Sequence, residues 1–132
     1  MPATPDIPQA AAIPVKEGKV CLVTSSNGRH WVIPKGVIDP GHSAAETALQ
    51  EAWEEAGLIG VLAPQPVGSY SYQKWGSTCR VSVFLMEVTE VRDEWPEQNV
   101  RQRCWLEPAE AVQRLEPDDL QRLIRKVLLD GQ

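Results

Sequence analysis

The chain has 132 residues, 42% hydrophobic and 23% charged, with a formal net charge of −5. That length suits one domain able to bury a real core, in the proportions of an ordinary globular protein. The acidic balance argues against a nucleic-acid polymer or a membrane surface as partner, since both select a basic field, and no apolar run is long enough to span a bilayer.

Residues 1–14 carry Pro2, Pro5, Pro8 and Pro14 among small side chains. They read as a flexible, extended N-terminal arm, with room for the last few residues along a sheet edge. Residues 15–132 read as a single domain with no internal repeat. No basic leader followed by an apolar core opens the chain, so no signal peptide is expected. The run VCLVTS after Lys19 predicts a buried strand. Asn27-Gly28 is the strongest hairpin signal present, and HWVIP is its return strand, delivering the chain to Lys35 and Gly36. Asp39, Pro40 and Gly41 form a turn cluster. Ser43 and Glu46 then make a capping box that starts a helix near residue 43. Alanines at 44, 45, 48, 52 and 56 favour that helix, and Gly57 fits the position just past its end.

Beyond the helix, Ile59 to Leu62 leads through a Pro64–Pro66 loop into VGSYSYQKW, which Gly76-Ser77 turns into the hydrophobic strand CRVSVFLMEVTEV. The two segments predict an antiparallel pair. Asp93 to Asn99 is a polar loop and RQRCWL a short strand. Glu107-Pro108 opens one helix, with Pro108 suited to its first position. Pro117-Asp118-Asp119 opens another, whose apolar stripe is Leu120, Leu123, Ile124, Val127 and Leu128. Strands interrupted by one long helix and closed by terminal helices suggest an α/β fold with a mixed sheet. Cys21, Cys79 and Cys104, odd in number and widely spaced, read as reduced core thiols of a cytoplasmic protein.

The chemistry concentrates on the first helix. Glu51, Glu54 and Glu55 stand at i, i+3 and i+4, so their carboxylates share a face and repel one another. A divalent cation turns that repulsion into coordination, because Mg²⁺ takes a few carboxylate oxygens plus substrate phosphates and water. The same spacing also describes a plain solvated acidic face. The Lys-Gly loop ahead of the helix and the turn fixing its start favour the metal.

The stretch PKGVIDPGHSAAETALQEAWEEAGLIG, residues 34–60, resembles the signature of the Nudix hydrolases, G-x5-E-x7-R-E-U-x-E-E-x-G-U with U aliphatic. Gly36, Glu51, Ala52, Glu54, Glu55, Gly57 and Leu58 fall at its spacing. His42 stands where the pattern has Glu, and Gln50 where it has Arg. WVIPKG before the box and WPEQNVRQRCWLEPAEAV after it are similar to the diphosphoinositol polyphosphate and diadenosine polyphosphate hydrolase branch.

The resemblance implies a Nudix-type α/β/α sandwich with a mixed parallel/antiparallel sheet. It also implies Mg²⁺- or Mn²⁺-dependent hydrolysis of a small-molecule phosphoanhydride by a monomer or homodimer. Glu51 and Glu55 become expected metal ligands. Glu54 becomes the base or a further ligand, and Gly36 lets the backbone approach metal or phosphate closely. Lys35, Arg101 and Arg103 are candidates for the substrate's phosphates, since guanidinium forks bind phosphate bidentately; solvated lysines and strand arginines are the plain alternative. Lys74 and Arg80 are weaker versions of the same idea. Trp31, Tyr70, Tyr72 and Trp75 suit either base stacking or packing. Glu87, Glu90, Glu94 and Glu97 lie where some family members find an extra ligand. The departures at 42 and 50 leave a second reading open, a weak or inactive module that binds a phosphorylated ligand.

Overall fold

A computed structural model of the chain describes residues 6–74 and 76–130. In chain order the elements are β1 (Ile7–Lys16), β2 (Lys19–Thr24), β3 (Trp31–Val32), β4 (Lys35–Val37), α1 (Ala44–Ala56), β5 (Leu58–Leu62), β6 (Gly68–Lys74), β7 (Ser77–Val91), β8 (Arg103–Leu106), α2 (Pro108–Arg114) and α3 (Asp118–Ile124). A π-helical turn over Arg125–Leu129 continues α3. The strands form one mixed sheet in the order β3-β2-β1-β7-β5, with β4 also on β1, β6 on β7 and β8 on β2. β1 and β7 run parallel from Ile7↔Cys79 to Val15↔Glu87, and the other pairs are antiparallel.

The strand β1 corrects the expected arm at residues 1–14. Its first residues, 1–5, lie outside the described residues, but from Ile7 onward the segment is the centre of the sheet, and Ala10 to Ile13 are fully buried. The prolines misled because a strand has two hydrogen-bonding sides. Even-numbered residues of β1 turn their backbone toward β4: Ala12 N–H donates to Pro34 O (3.1 Å) and Pro8 O accepts from Ile38 N–H (3.0 Å). Pro8 and Pro14 therefore omit a donor on that side and leave the parallel ladder to β7 intact.

Alternation along β1 divides the core into two layers. Ala10 and Ala12 pack with Ala48, Ala52 and Ala56 of α1, together with Leu58, Phe84 and Met86. Ala11 and Ile13 pack with Ala111, Val112 and Leu115 around α2, and with Leu120 and Ile124 of α3. This is the expected sandwich. Alanine facing alanine lets α1 lie close to the sheet, so the side chains on its flank reach β4.

The local predictions hold in most places. Gly28 N–H donates to Ser25 O (2.8 Å) in the loop joining β2 to β3, and β6 and β7 pair as a hairpin from Lys74↔Ser77. HWVIP shortens to a two-residue strand, after which β4 pairs with β1. Ser43 caps α1 with Glu46 returning the bond, and Gly57 closes it at φ +69°. A Cβ at Gly57 would stand 2.9 Å from Arg103 Nη1 and 3.0 Å from Trp95. Gly57→Ala is therefore expected to cost about 1–2 kcal/mol, the penalty of a left-handed residue with a side chain. A lower urea midpoint at unchanged slope would report it.

Candidate active site

The helix α1 presents its glutamates to β4 on one side and to the 93–102 segment on the other. Glu55 is 6% exposed. Its Oε1 accepts the Lys35 backbone N–H at 3.3 Å, and its Oε2 lies 3.4 Å from Arg101 Nη2. The Glu51 carboxylate rests on Gly36. A Cβ built there would come within 2.4 Å of the Glu51 carboxylate carbon and 2.6 and 2.7 Å of its oxygens. Only a residue without a side chain leaves that space.

Burial raises the pKa of both carboxyls, and that of Glu55 reaches about 8 despite the opposing pull of Arg101. The contact between the two carboxyls works in opposite directions on them, lowering Glu51 and raising Glu55 further. Glu54 and Glu97 add negative charge around Glu51. The Glu54 Oε1 accepts a 2.6 Å hydrogen bond from Gln50 Nε2. Gln50 thus holds a glutamate directly and does not pair with His42, which is exposed in the turn and donates its backbone N–H to Asp39 O (3.1 Å).

The 93–102 segment is tied to the helix rather than merely near it. Trp95 Nε1 donates to Glu55 O at 2.9 Å, and Glu97 N–H donates to Glu54 O at 3.0 Å. Arg101, whose side chain is 12% exposed, spans three groups. Its Nε meets Glu97 Oε1 at 2.9 Å, its Nη1 donates to Thr24 O at 2.8 Å, and its Nη2 faces Glu55. Glu97 is thereby distinguished from Glu87, Glu90 and Glu94, a choice that the residues alone left open. Its one legible signal was the i, i+4 spacing to Arg101.

Both arginines that were candidates for phosphate make contacts with the protein. Arg101 orients Glu55 and Glu97. Arg103 donates from Nη1 to Ala56 O (2.7 Å) and stacks 4.1 Å from the Trp95 ring, covering the C-terminal end of α1. Lys35 does line the site: burial lowers its pKa, Glu55 partly restores it, and its Nζ lies 5.3 Å from the Tyr72 ring. Arg80 pairs at the surface with Asp6 at 3.3 Å. Trp75 lies outside the described residues.

The donor set suits a hard divalent ion. Glu51 and Glu55 bring carboxylate oxygens together beside Gly36, whose bare Cα makes room for the Glu51 carboxylate, the kind of donor a hard divalent ion takes. Among the described residues no three His, Cys, Asp or Glu side chains form a ready-made metal cage. Also among the described residues, no helix is long and apolar enough to cross a membrane.

The family model described as NUDIX domain matches residues 6–128. "Nudix hydrolase 12, mitochondrial" of Arabidopsis thaliana is 33% identical over 122 residues, covering 86% of this chain and 60% of the relative. "Diphosphoinositol polyphosphate phosphohydrolase 3-beta" of Bos taurus is 31% identical, over 76% of this chain and 62% of its own. A solved structure of a C. elegans Ap4A hydrolase binary complex superposes with a TM-score of 0.74 at 22% identity, covering 96% of this chain and 99% of that one; that likeness shows the fold. The chain spans about 60% of the length of two of the Arabidopsis relatives it matches, Nudix hydrolases 12 and 13.

Proposed function

The chain belongs to the NUDIX domain family, and from that premise we propose that it is a divalent-metal-dependent pyrophosphohydrolase. Its substrate class is a diadenosine polyphosphate, a diphosphoinositol polyphosphate or a related nucleoside-diphosphate-linked compound, as the names of its relatives suggest. One observation carries the reading: Glu51 and Glu55 are gathered, partly out of water, against the bare Cα of Gly36. Such a cluster works against stability, which points to a use.

Mg²⁺ or Mn²⁺ bound there supplies neutralisation of the phosphoryl oxygens and a water made nucleophilic. Glu51 and Glu55 would hold the ion, and Gly36 gives the Glu51 carboxylate its room beside the backbone of β4. Glu54 is the base of this proposal. Gln50, an uncharged donor, fixes one of its oxygens by a hydrogen bond, so Glu54 keeps its orientation without the arginine of the family pattern. Arg101 positions Glu55 and Glu97, and the ties from Trp95 and Glu97 to the last turn of α1 keep that geometry rigid. The free thiols Cys21, Cys79 and Cys104 suit a reducing compartment such as the cytoplasm.

The test is hydrolysis of a panel of diadenosine polyphosphates, diphosphoinositol polyphosphates, sugar nucleotides and nucleoside triphosphates with Mg²⁺ or Mn²⁺. Turnover that disappears with chelator and in Glu54→Gln is the expected result. Metal-dependent binding of a compound with no product from any of them would replace the enzyme by a ligand-binding module.

A further inference from the structure

Resting on that reading of the site, we propose that Thr24 is a positioning residue of the reaction. Its hydroxyl takes one bond of the sheet ladder and so frees its backbone carbonyl to seat Arg101. β2 and β8 run antiparallel with Val23 opposite Arg103, which places Thr24 opposite Gln102. A regular hydrogen-bonded pair at such a position exchanges both bonds, each N–H donating to the other residue's C=O. The first of these is present, since Thr24 N–H donates to Gln102 O at 3.0 Å. The second is diverted to a side chain. Gln102 N–H donates to Thr24 Oγ1 at 3.0 Å, and Thr24 O accepts from Arg101 Nη1 at 2.8 Å instead.

The diversion matters because of what else Arg101 holds. Its Nε meets Glu97 Oε1 at 2.9 Å and its Nη2 lies 3.4 Å from Glu55 Oε2. Contacts in three directions fix a planar guanidinium, and Thr24 supplies the one that belongs to neither carboxylate. With glutamine at position 50, the guanidinium on these glutamates comes from outside α1, so its seat decides where Glu55 is held. That seat is the last residue of β2, and Cys21 and Val23 of the same strand pack in the layer under α1. Thr24 is itself buried. Valine has nearly its shape and suits a strand as well, so the fold alone does not call for the hydroxyl. The seating of Arg101 does.

In Thr24→Val the Gln102 N–H has no hydroxyl to reach and reverts to the carbonyl of residue 24, so Arg101 loses that acceptor. The regular ladder is restored, and the urea midpoint should change little. The kcat should nevertheless fall about 10-fold, the scale of a lost supporting contact, at a KM within about 2-fold. Thr24→Ser keeps the hydroxyl at lower strand propensity and should recover kcat to within about 3-fold of the natural chain. Arg101→Lys keeps the charge without the fork. On that background Thr24→Val should cost nothing further, because no guanidinium is left to seat. A readout without substrate is the Nε–H signal of Arg101 in a heteronuclear NMR spectrum of the metal-free chain, assigned by its absence in Arg101→Lys. It should be sharp in the natural chain and Thr24→Ser and broadened in Thr24→Val. An unchanged signal in Thr24→Val, equal kcat in the valine and serine variants, or the full valine loss repeated on Arg101→Lys overturns the proposal. A silent hydrolysis panel would sink the enzyme reading while the signal still decides the seating of Arg101; turnover with an unchanged signal would do the reverse.

Discussion

Glu55→Gln is expected to remove turnover, by about 1,000-fold or roughly 4 kcal/mol of transition-state stabilisation, while making the metal-free protein more stable at pH 8. The two effects have one cause. Burial raises the Glu55 pKa from its ordinary 4.5 to about 8, outweighing the attraction of Arg101. Between those values the folded chain holds a proton that the unfolded chain has released. Stability contributed by the protonated carboxyl is therefore complete below about pH 4.5 and is lost as pH rises through about 8. Glutamine has nearly the same shape, keeps an oxygen to accept from Lys35 N–H, and does not titrate. Arg101 retains Glu97 as partner. In chelator the variant's advantage in Tm should grow from nothing near pH 4.5 to a few degrees at pH 8. Added Mg²⁺ should raise the Tm of the natural chain at pH 8 far more than that of the variant, since only an ion bound to the folded state shifts the balance. A Tm difference independent of pH, or a variant less stable at pH 8, would show that Glu55 is not held against its charge.

The part of this site that was legible in the residues lies within one turn or one helix of itself. The capping box of Ser43 and Glu46, the stop at Gly57 and the shared face of Glu51, Glu54 and Glu55 are fixed by helical spacing. The bare Cα of Gly36 was anticipated through the family resemblance, and its contact with Glu51 then appears across β4 and α1. What was not legible depends on long-range pairing. Proline content hid β1 because a sequence does not say which side of a strand a missing N–H will face. Arg101 and Arg103 alternate on a strand-like run and so read as a pair, yet the chain puts one against Glu55 and Glu97 and the other against Ala56 and Trp95. Their charge was visible; their partners, 40 or more residues away for Glu55 and Ala56, were not. Trp95 and Glu97 belong to a polar loop by composition and gain their roles only from docking on the last turn of α1.

Gly36→Ala is expected to lower kcat/KM by about 100-fold with little change in Tm. The new Cβ would sit 2.4 Å from the Glu51 carboxylate carbon, so one of the two must move by about an ångström, and a misplacement of that size at a reacting centre costs on the order of 100-fold. The side chain will yield before the backbone. Gly36 is paired to Ala10 in the β1–β4 ladder, whereas Glu51 is a flexible chain on the helix surface, partly open to solvent. Stability therefore survives while the metal site is distorted. The compensating change identifies the cause. Glu51→Asp draws the carboxylate back by one methylene and should itself be damaging, because the oxygens no longer reach the ion. Combined with Gly36→Ala, the shorter side chain clears the added methyl, and the double variant should lose markedly less than the product of the two single losses. Strict additivity would mean that the methyl acts through β4 rather than through Glu51, and would take away the main geometric support for Glu51 as a metal ligand.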